Sequence, residues 1–162
     1  MNVIFIPECY ADTTLTDFFL KDNKLVIHQR CISKVAAFME RSHPKYARLV
    51  GIIDTDKRQP LYYKDFIEKK RIGNVVLKQK NNSEQYLIVL QPELERFLIT
   101  CSEELKLDLA DFNLPTELQQ LIDITKNVSV ANNHNFKRLL KALLESEDFK
   151  GLGQLITSLK EI

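Results

Sequence analysis

Acidic side chains follow two apolar runs of the chain, each at the point where the run ends. Glu8 and Asp12 come after NVIFIP, and Asp54 and Asp56 form a D-x-D at the end of RLVGIID. Carboxylates crowded together repel one another unless a cation neutralises them or one keeps its proton. Hard oxygen ligands suit Mg²⁺ or Mn²⁺. These residues therefore predict a metal site, provided that the fold brings the two acidic segments together.

Apolar, β-branched runs alternate with amphipathic segments over the first half of the chain, which predicts an α/β fold. Such alternation implies right-handed crossovers and a mostly parallel sheet flanked by helices. An Asn-rich tight turn is expected between the last two strands. The predicted strands are residues 2–7, 25–28, 48–54, 75–80 and 84–90, and the predicted helices between them are residues 11–20, 31–41 and 61–71.

Beyond residue 91 the pattern is helical only. Apolar residues recur at helical spacing in residues 92–105, 116–123, 135–146 and 152–162. A length of 162 residues suits one compact domain. We therefore expect a single domain over residues 1–162, with an α/β core at 1–91 and a helical C-terminal extension at 92–162.

The fold class predicts where the acidic residues meet. Ligands of doubly wound sheets gather at the carboxyl ends of the strands, where Glu8 and Asp54 are placed. Asp54 and Asp56 point to the same side if the chain stays extended between them. Asp12 lies one helical turn beyond Glu8 and either leans back to this corner or, like Thr13, caps the helix. Glu95 begins the helix after the last strand, either as a second metal ligand or as an acid favoured by the helix dipole.

Two further residues have a chemical and a structural interpretation. His28 ends the predicted second strand, so it is either a proton shuttle beside the acids or a capping or core histidine. Lys34 either neutralises a phosphate or lies on a solvated helix face. The three cysteines, Cys9, Cys31 and Cys101, have no metal-finger spacing and are expected to be reduced.

IFIPECYAD and LVGIIDTD resemble the motifs of the Toprim domain family, the magnesium-binding module of topoisomerases, bacterial primases and overcoming-lysogenisation-defect nucleases. The resemblance covers roughly residues 2–90. It implies a Toprim-like fold and a Mg²⁺-dependent nuclease or related phosphodiester-processing protein, in which Glu8, Asp54 and Asp56 are catalytic metal ligands and Asp12 assists. The sequence departs from the family at two positions: Cys9 replaces the usual Gly, and Arg58 stands where some members carry a third acid.

The charges are divided along the chain. Residues 57–80 carry eight Lys or Arg against two acids, and residues 93–123 carry eight acids against two bases. The basic segment predicts a surface that attracts nucleic-acid phosphates, and the alternative is a pair of solvated helix faces of opposite sign. The residues expected to bind nucleic acid are Lys57, Arg58, Lys64, Lys69, Lys70 and Arg71.

Other features limit the classes of protein. No apolar run reaches the length of a membrane span and no signal peptide is recognisable, so we expect a cytoplasmic protein without a membrane partner. A receiver domain needs a Lys after its last strand, where this chain has Leu90 and Gln91. A haloacid-dehalogenase phosphatase needs its D-x-D after the first strand. The alternative to a nuclease is a noncatalytic binding or regulatory module that works with a partner protein.

Overall fold

The structure, a computed structural model, describes residues 2–55 and 58–161. Within them a five-stranded sheet has the order β1-β2-β5-β4-β3. The apolar, β-branched runs form its buried strands, as expected. The strands are β1 (Val3–Pro7), β2 (Arg48–Asp54), β3 (Phe66–Ile72), β4 (Val75–Lys80) and β5 (Gln85–Leu90).

The sheet is mixed. β1 pairs with β2 and β2 pairs with β5 in parallel, whereas β5 with β4 and β4 with β3 are antiparallel pairs. The predicted α/β class with flanking helices is confirmed, but the expected mostly parallel character is not. The difference comes from the segment after β2, which returns as an antiparallel meander of three strands.

The helix predicted for residues 61–71 is wrong. Leu61–Asp65 form one short 3₁₀ helix, and Phe66–Ile72 form the edge strand β3, with a bulge between Glu68 and Lys70. FIEKKRI contains good helix formers, but Gly73 adopts a φ of 51° and turns the chain directly back into β4. Pairing with the apolar β4 therefore overrides local helix propensity.

The predicted strand at residues 25–28 is also absent. Asn23–Leu25 form a 3₁₀ helix, and only a single parallel bridge joins Val26 to Phe5. The backbone N–H of Ile27 donates to the carbonyl of Phe5 at 2.9 Å. The segment thus runs along the outer edge of β1 without extending the sheet by a full strand.

Helices cover both faces of the sheet. Alternate residues of the strands divide the core into two clusters, because successive side chains point to opposite faces. One cluster, with Phe5 and Ile88, includes α1 and the helices after β5, and the other, with Ile6 and Val89, includes α2. The helices are α1 (Tyr10–Leu20), α2 (Ile32–Ser42), α3 (Leu94–Glu104), α4 (Leu118–Thr125), α5 (His134–Ala142) and α6 (Glu147–Lys160). No described helix is long and apolar enough to cross a membrane.

Candidate active site

Glu8 and Asp54 meet at the carboxyl edge of the parallel strands. Pro7 is in register with Ile52, and the N–H of Glu8 continues the ladder by donating to the Ile52 carbonyl at 3.0 Å. The N–H of Asp54 donates to Oε2 of Glu8 at 3.3 Å. Glu8 is 1% exposed and Asp54 is 8% exposed. The structure therefore brings together the acidic ends of the first and third predicted strands.

Asp12 is held at the start of α1 by Cys9. The Cys9 N–H donates to Oδ2 of Asp12 at 3.2 Å, and the Asp12 N–H donates to Sγ of Cys9 at 3.4 Å, which forms a reciprocal capping box. Cys9 is thus the helix cap, a role that the sequence pattern assigns to Asp12 or Thr13. Its φ of −122° is accessible to any residue, so a side chain at this position causes no backbone strain.

The second oxygen of Asp12 has no hydrogen-bond partner within residues 2–55 and 58–161. Asp12 is fully buried, and Oδ1 makes no hydrogen bond to the described residues. Burial raises the pKa of Asp12 to about 7 from its ordinary 3.8, and the negative charges of Glu95 and Glu8 act in the same direction. A buried carboxylate close to other negative charges is stabilised by a proton or by a cation.

Glu95, in the first turn of α3, lies near enough to Asp12 for its charge to act on that carboxyl group. It is 5% exposed, and the hydroxyl of Thr125, the last residue of α4, donates to its Oε1. Its charge acts on Asp12, as that of Glu8 does. We call Glu8, Asp12, Asp54 and Glu95 the acidic corner.

The donor set of the acidic corner fits a hard divalent cation, because it is made of carboxylates and includes the unpartnered Oδ1 of Asp12. The positions of the described side chains do not by themselves form a complete metal-binding site. Across residues 2–55 and 58–161, no three His, Cys, Asp or Glu side chains form a group arranged to hold a metal. Asp56, the second residue of the D-x-D, lies outside the described residues.

His28 lies beside the acidic corner in a defined tautomer. Its ring stacks on Tyr10 with centroids 4.5 Å apart, and Nδ1 is 2.9 Å from the hydroxyl of Thr13. That hydroxyl donates its own proton to the Cys9 carbonyl at 2.8 Å, so Nδ1 must be protonated and donate to the hydroxyl oxygen. Nε2 is then a lone-pair nitrogen, and it has no partner among the described residues.

Burial lowers the pKa of His28, and the positive charge of Arg30 acts in the same direction. The imidazole is therefore neutral at pH 7. Its unprotonated Nε2 can accept a proton, whereas the stacking on Tyr10 and the contact with Thr13 are structural, so the proton-shuttle role of His28 stays a prediction.

Two cations that the sequence did not single out complete the site. A cleft of about 290 Å³ is lined by Arg30 and Lys126 together with Glu8, Cys9, Tyr10 and His28. Arg30 follows the strand-like segment beside β1, and Lys126 follows α4. Both come from parts of the chain without a motif, so only the tertiary structure reveals them: Arg30 through the segment that runs beside β1, and Lys126 through the position of α4. Basic side chains in a cleft with carboxylates are suited to a phosphate group.

The predicted nucleic-acid-binding residues are spread along the segment after β2. Lys69 and Lys70 are exposed at the bulge of β3, and Lys64 and Arg58 are also exposed. Arg71 is bound to Glu68 at 2.9 Å and donates to Oε1 of Gln91 at 2.8 Å, at the end of β5. Lys57 lies outside the described residues, and Lys34 is exposed on α2. β3 runs in the direction of β5, so Arg71 lies toward the carboxyl edge of the sheet.

No protein-family model matches the chain, and neither the curated proteins nor the solved structures include one with significant similarity to it.

Proposed function

We propose that the acidic corner binds Mg²⁺ or Mn²⁺ and that the protein hydrolyses phosphodiester bonds of nucleic acid. The observation that carries this proposal is the pair of buried acids Glu8 and Asp54 at the carboxyl edge of the parallel strands, next to the fully buried Asp12, whose pKa of about 7 is raised in part by Glu95 and Glu8. Burying a carboxylate is costly unless a cation or a proton compensates its charge, and a divalent cation held by carboxylates can activate a phosphate ester for hydrolysis. The resemblance of IFIPECYAD and LVGIIDTD to Toprim motifs agrees with it.

Within this proposal the carboxylates hold the cation and the neighbouring side chains handle the substrate. Glu8, Asp54 and Asp56 are the catalytic ligands, and Asp12 and Glu95 complete the set. When bound there, a divalent cation would polarise the scissile phosphate and lower the pKa of an attacking water molecule. Arg30 and Lys126 bind the phosphate in the cleft.

His28 has the role of a base. Its unpartnered Nε2 accepts the proton of the attacking water, while Thr13 and Tyr10 fix the orientation of the ring. The lowered pKa of His28 keeps this nitrogen free of a proton at neutral pH.

Cleavage by the Asp54→Asn variant tests the proposal. The substitution is nearly isosteric and removes one negative charge, so the protein should fold while its affinity for the cation falls. We expect Mg²⁺- or Mn²⁺-dependent cleavage of single- and double-stranded DNA and RNA by the parent, and a loss of roughly a thousandfold or more in the variant. Asp111→Asn, at an exposed acid of the 3₁₀ helix Leu109–Phe112 that has no part in the acidic corner, is the matched control and should cleave like the parent.

A second candidate is a noncatalytic binding or regulatory module that acts with a partner protein. It is favoured by the absence, within the described residues, of a three-residue metal-binding group and by the hydrogen bond that the Asp54 N–H already makes to Glu8. If folded parent and Asp54→Asn proteins both fail to cleave any of the four substrates with either cation, this second function replaces the first.

A further inference from the structure

A second cavity lies between α1 and α5, at the opposite end of α1 from the acidic corner. It encloses about 370 Å³. Asp17 and Phe18 line it from the last turns of α1, Lys21 lines it directly after that helix, and Lys137, Arg138 and Lys141 line it from α5. We call it the α1–α5 cavity. Its volume is at the small end of the range for ligand sites, about 300–1,000 Å³.

The rim of the α1–α5 cavity is cationic. Lys21, Lys137, Arg138 and Lys141 are exposed, and none forms a salt bridge with another described residue. The guanidinium of Arg138 lies over the ring of Phe112 at 5.5 Å, which holds it in place. Lys137 and Lys141 are four residues apart on α5 and therefore project from one face of the helix. The rim attracts an anion, and a phosphate is the group that such side chains bind best.

The wall of the cavity contains a buried acceptor. Asp17 is half-buried as a residue, but its Oδ1 is buried and makes no hydrogen bond to the described residues, and burial raises the pKa of the carboxyl group. An unpartnered buried acceptor is costly, so a ligand that donates a hydrogen bond here gains affinity. The ring of the half-buried Phe18, next in sequence, is held at 5.2 Å from that of Phe19 in an edge-on contact. A ligand with N–H donors on a flat ring uses both Asp17 and Phe18.

We propose that the α1–α5 cavity binds a purine nucleoside monophosphate, with the base against Phe18, its N–H donors on Asp17 and its phosphate on Lys137 and Lys141. Guanine presents two adjacent donors, N1–H and N2–H, to a carboxylate, which only accepts hydrogen bonds. Adenine presents one donor beside an acceptor. Guanosine monophosphate is therefore preferred over adenosine monophosphate. This site is independent of the proposed nuclease function.

Isothermal titration of the full chain with guanosine monophosphate, in metal-free buffer, tests the proposal. We expect saturable binding at one site, with adenosine monophosphate and inorganic phosphate each weaker by roughly tenfold or more. Lys137→Ala and Lys141→Ala should each weaken binding by roughly tenfold, because each removes a charge-assisted hydrogen bond. Lys160→Ala, at an exposed lysine of α6, is the matched control and should bind like the parent. Asp17→Asn should abolish the preference for guanine while phosphate binding persists.

Three results would overturn the proposal. Inorganic phosphate that binds as tightly as the nucleotide, with no effect of Asp17→Asn, would leave only an anion site. An acidic amphipathic peptide that binds where the nucleotide does not would show a peptide groove. The absence of binding by every nucleotide would exclude a nucleotide site. Because the titration contains no divalent cation, Asp54→Asn should bind guanosine monophosphate like the parent, so this test is separate from that of the nuclease.

Discussion

Asp12 shows what a buried carboxylate does to the surrounding fold. In the native protein its pKa is about 7, against an ordinary value of 3.8. Between these values the native state holds a proton that the unfolded chain has released, so the free energy of unfolding falls as the pH rises. The loss begins near the unfolded pKa and is complete once the pH exceeds the folded pKa.

We predict that Asp12→Asn removes this pH dependence. The amide oxygen can still accept from the Cys9 N–H, and the NH₂ group faces carboxylates in place of a charge. In a chelator-containing buffer the parent should lose up to about 4 kcal/mol of unfolding free energy between about pH 4 and pH 7 relative to the variant. Denaturant unfolding across this range measures the difference. The pKa of His28 is lowered, which gives the opposite slope, but His28 contributes equally to both proteins.

The same pair of proteins tests cation binding without catalysis. At pH 8, added Mg²⁺ should raise the melting temperature of the parent more than that of Asp12→Asn, because a cation that binds only the native state stabilises it. Parallel pH profiles and equal responses to Mg²⁺ would contradict the role given to Asp12.

At the scale of single residues, the sequence predicted part of the site. Asp54 contacts Glu8, and Glu8 and Glu95 act on Asp12, because strand ends and helix starts have fixed positions relative to a parallel pair. The position of Lys126 and the tautomer of His28 depend on how α4 packs and on a hydroxyl chain through Thr13. Such tertiary contacts leave no periodic signal, so sequence patterns do not reveal them.

Among the elements, β2 packs tightly at Gly51 against side chains of β5 and α2. A Cβ atom placed on Gly51 would be 2.7 Å from Cδ2 of Leu87 and 2.9 Å from Sδ of Met39. Both neighbours are fully buried, so neither has space into which to move.

We predict that Gly51→Ala lowers the free energy of unfolding by about 1–3 kcal/mol through overpacking. The double variant Gly51→Ala with Leu87→Val shortens the side chain at the point of contact and should recover part of the loss. Denaturant unfolding of the two single variants and the double variant measures the coupling. Strictly additive losses would contradict the contact.

The composition of the edge strand β3 explains why residues 61–71 were predicted to be a helix. Its exposed face is charged, and only Phe66 among its residues is buried, so residues 61–71 lack the alternating apolar pattern of a strand. By contrast, β1, β2 and β5 are apolar on both faces because helices cover them on both sides. The sequence therefore predicts the central strands well and the charged edge poorly.

We predict that the bulge of β3 carries part of the nucleic-acid affinity. Replacing Lys69 and Lys70 with Gln should reduce the slope of log affinity against log salt by about 0.9 for each phosphate of duplex DNA that the variant no longer neutralises. Fluorescence anisotropy at several salt concentrations measures the slope. Lys106→Gln, at an exposed lysine within the acidic segment, is the control and should leave the slope unchanged. An unchanged slope in the double variant would place the phosphate-binding side chains elsewhere.

Across the whole molecule, the helices after β5 share one apolar cluster with β1 and α1. The sequence predicted these helices from their apolar spacing, and the structure places them on the face of the sheet that α1 also covers. Because of this packing, the hydroxyl of Thr125 donates to Glu95 and Lys126 lines the cleft. The C-terminal region is therefore part of the site and not only a cover for the sheet.

The mixed sheet also has a consequence for the order of folding. β3, β4 and β5 are joined by short turns within residues 66–90, whereas β1 reaches β2 only after a crossover that contains α1 and α2. Closing a short loop costs less entropy, so local strand pairs form early and distant pairs late. In pulse-labelling hydrogen exchange during refolding, we expect the amides of β4 to become protected before those of β1. The acidic corner, which needs β1 beside β2, would then be assembled last, after much of the sheet that supports it.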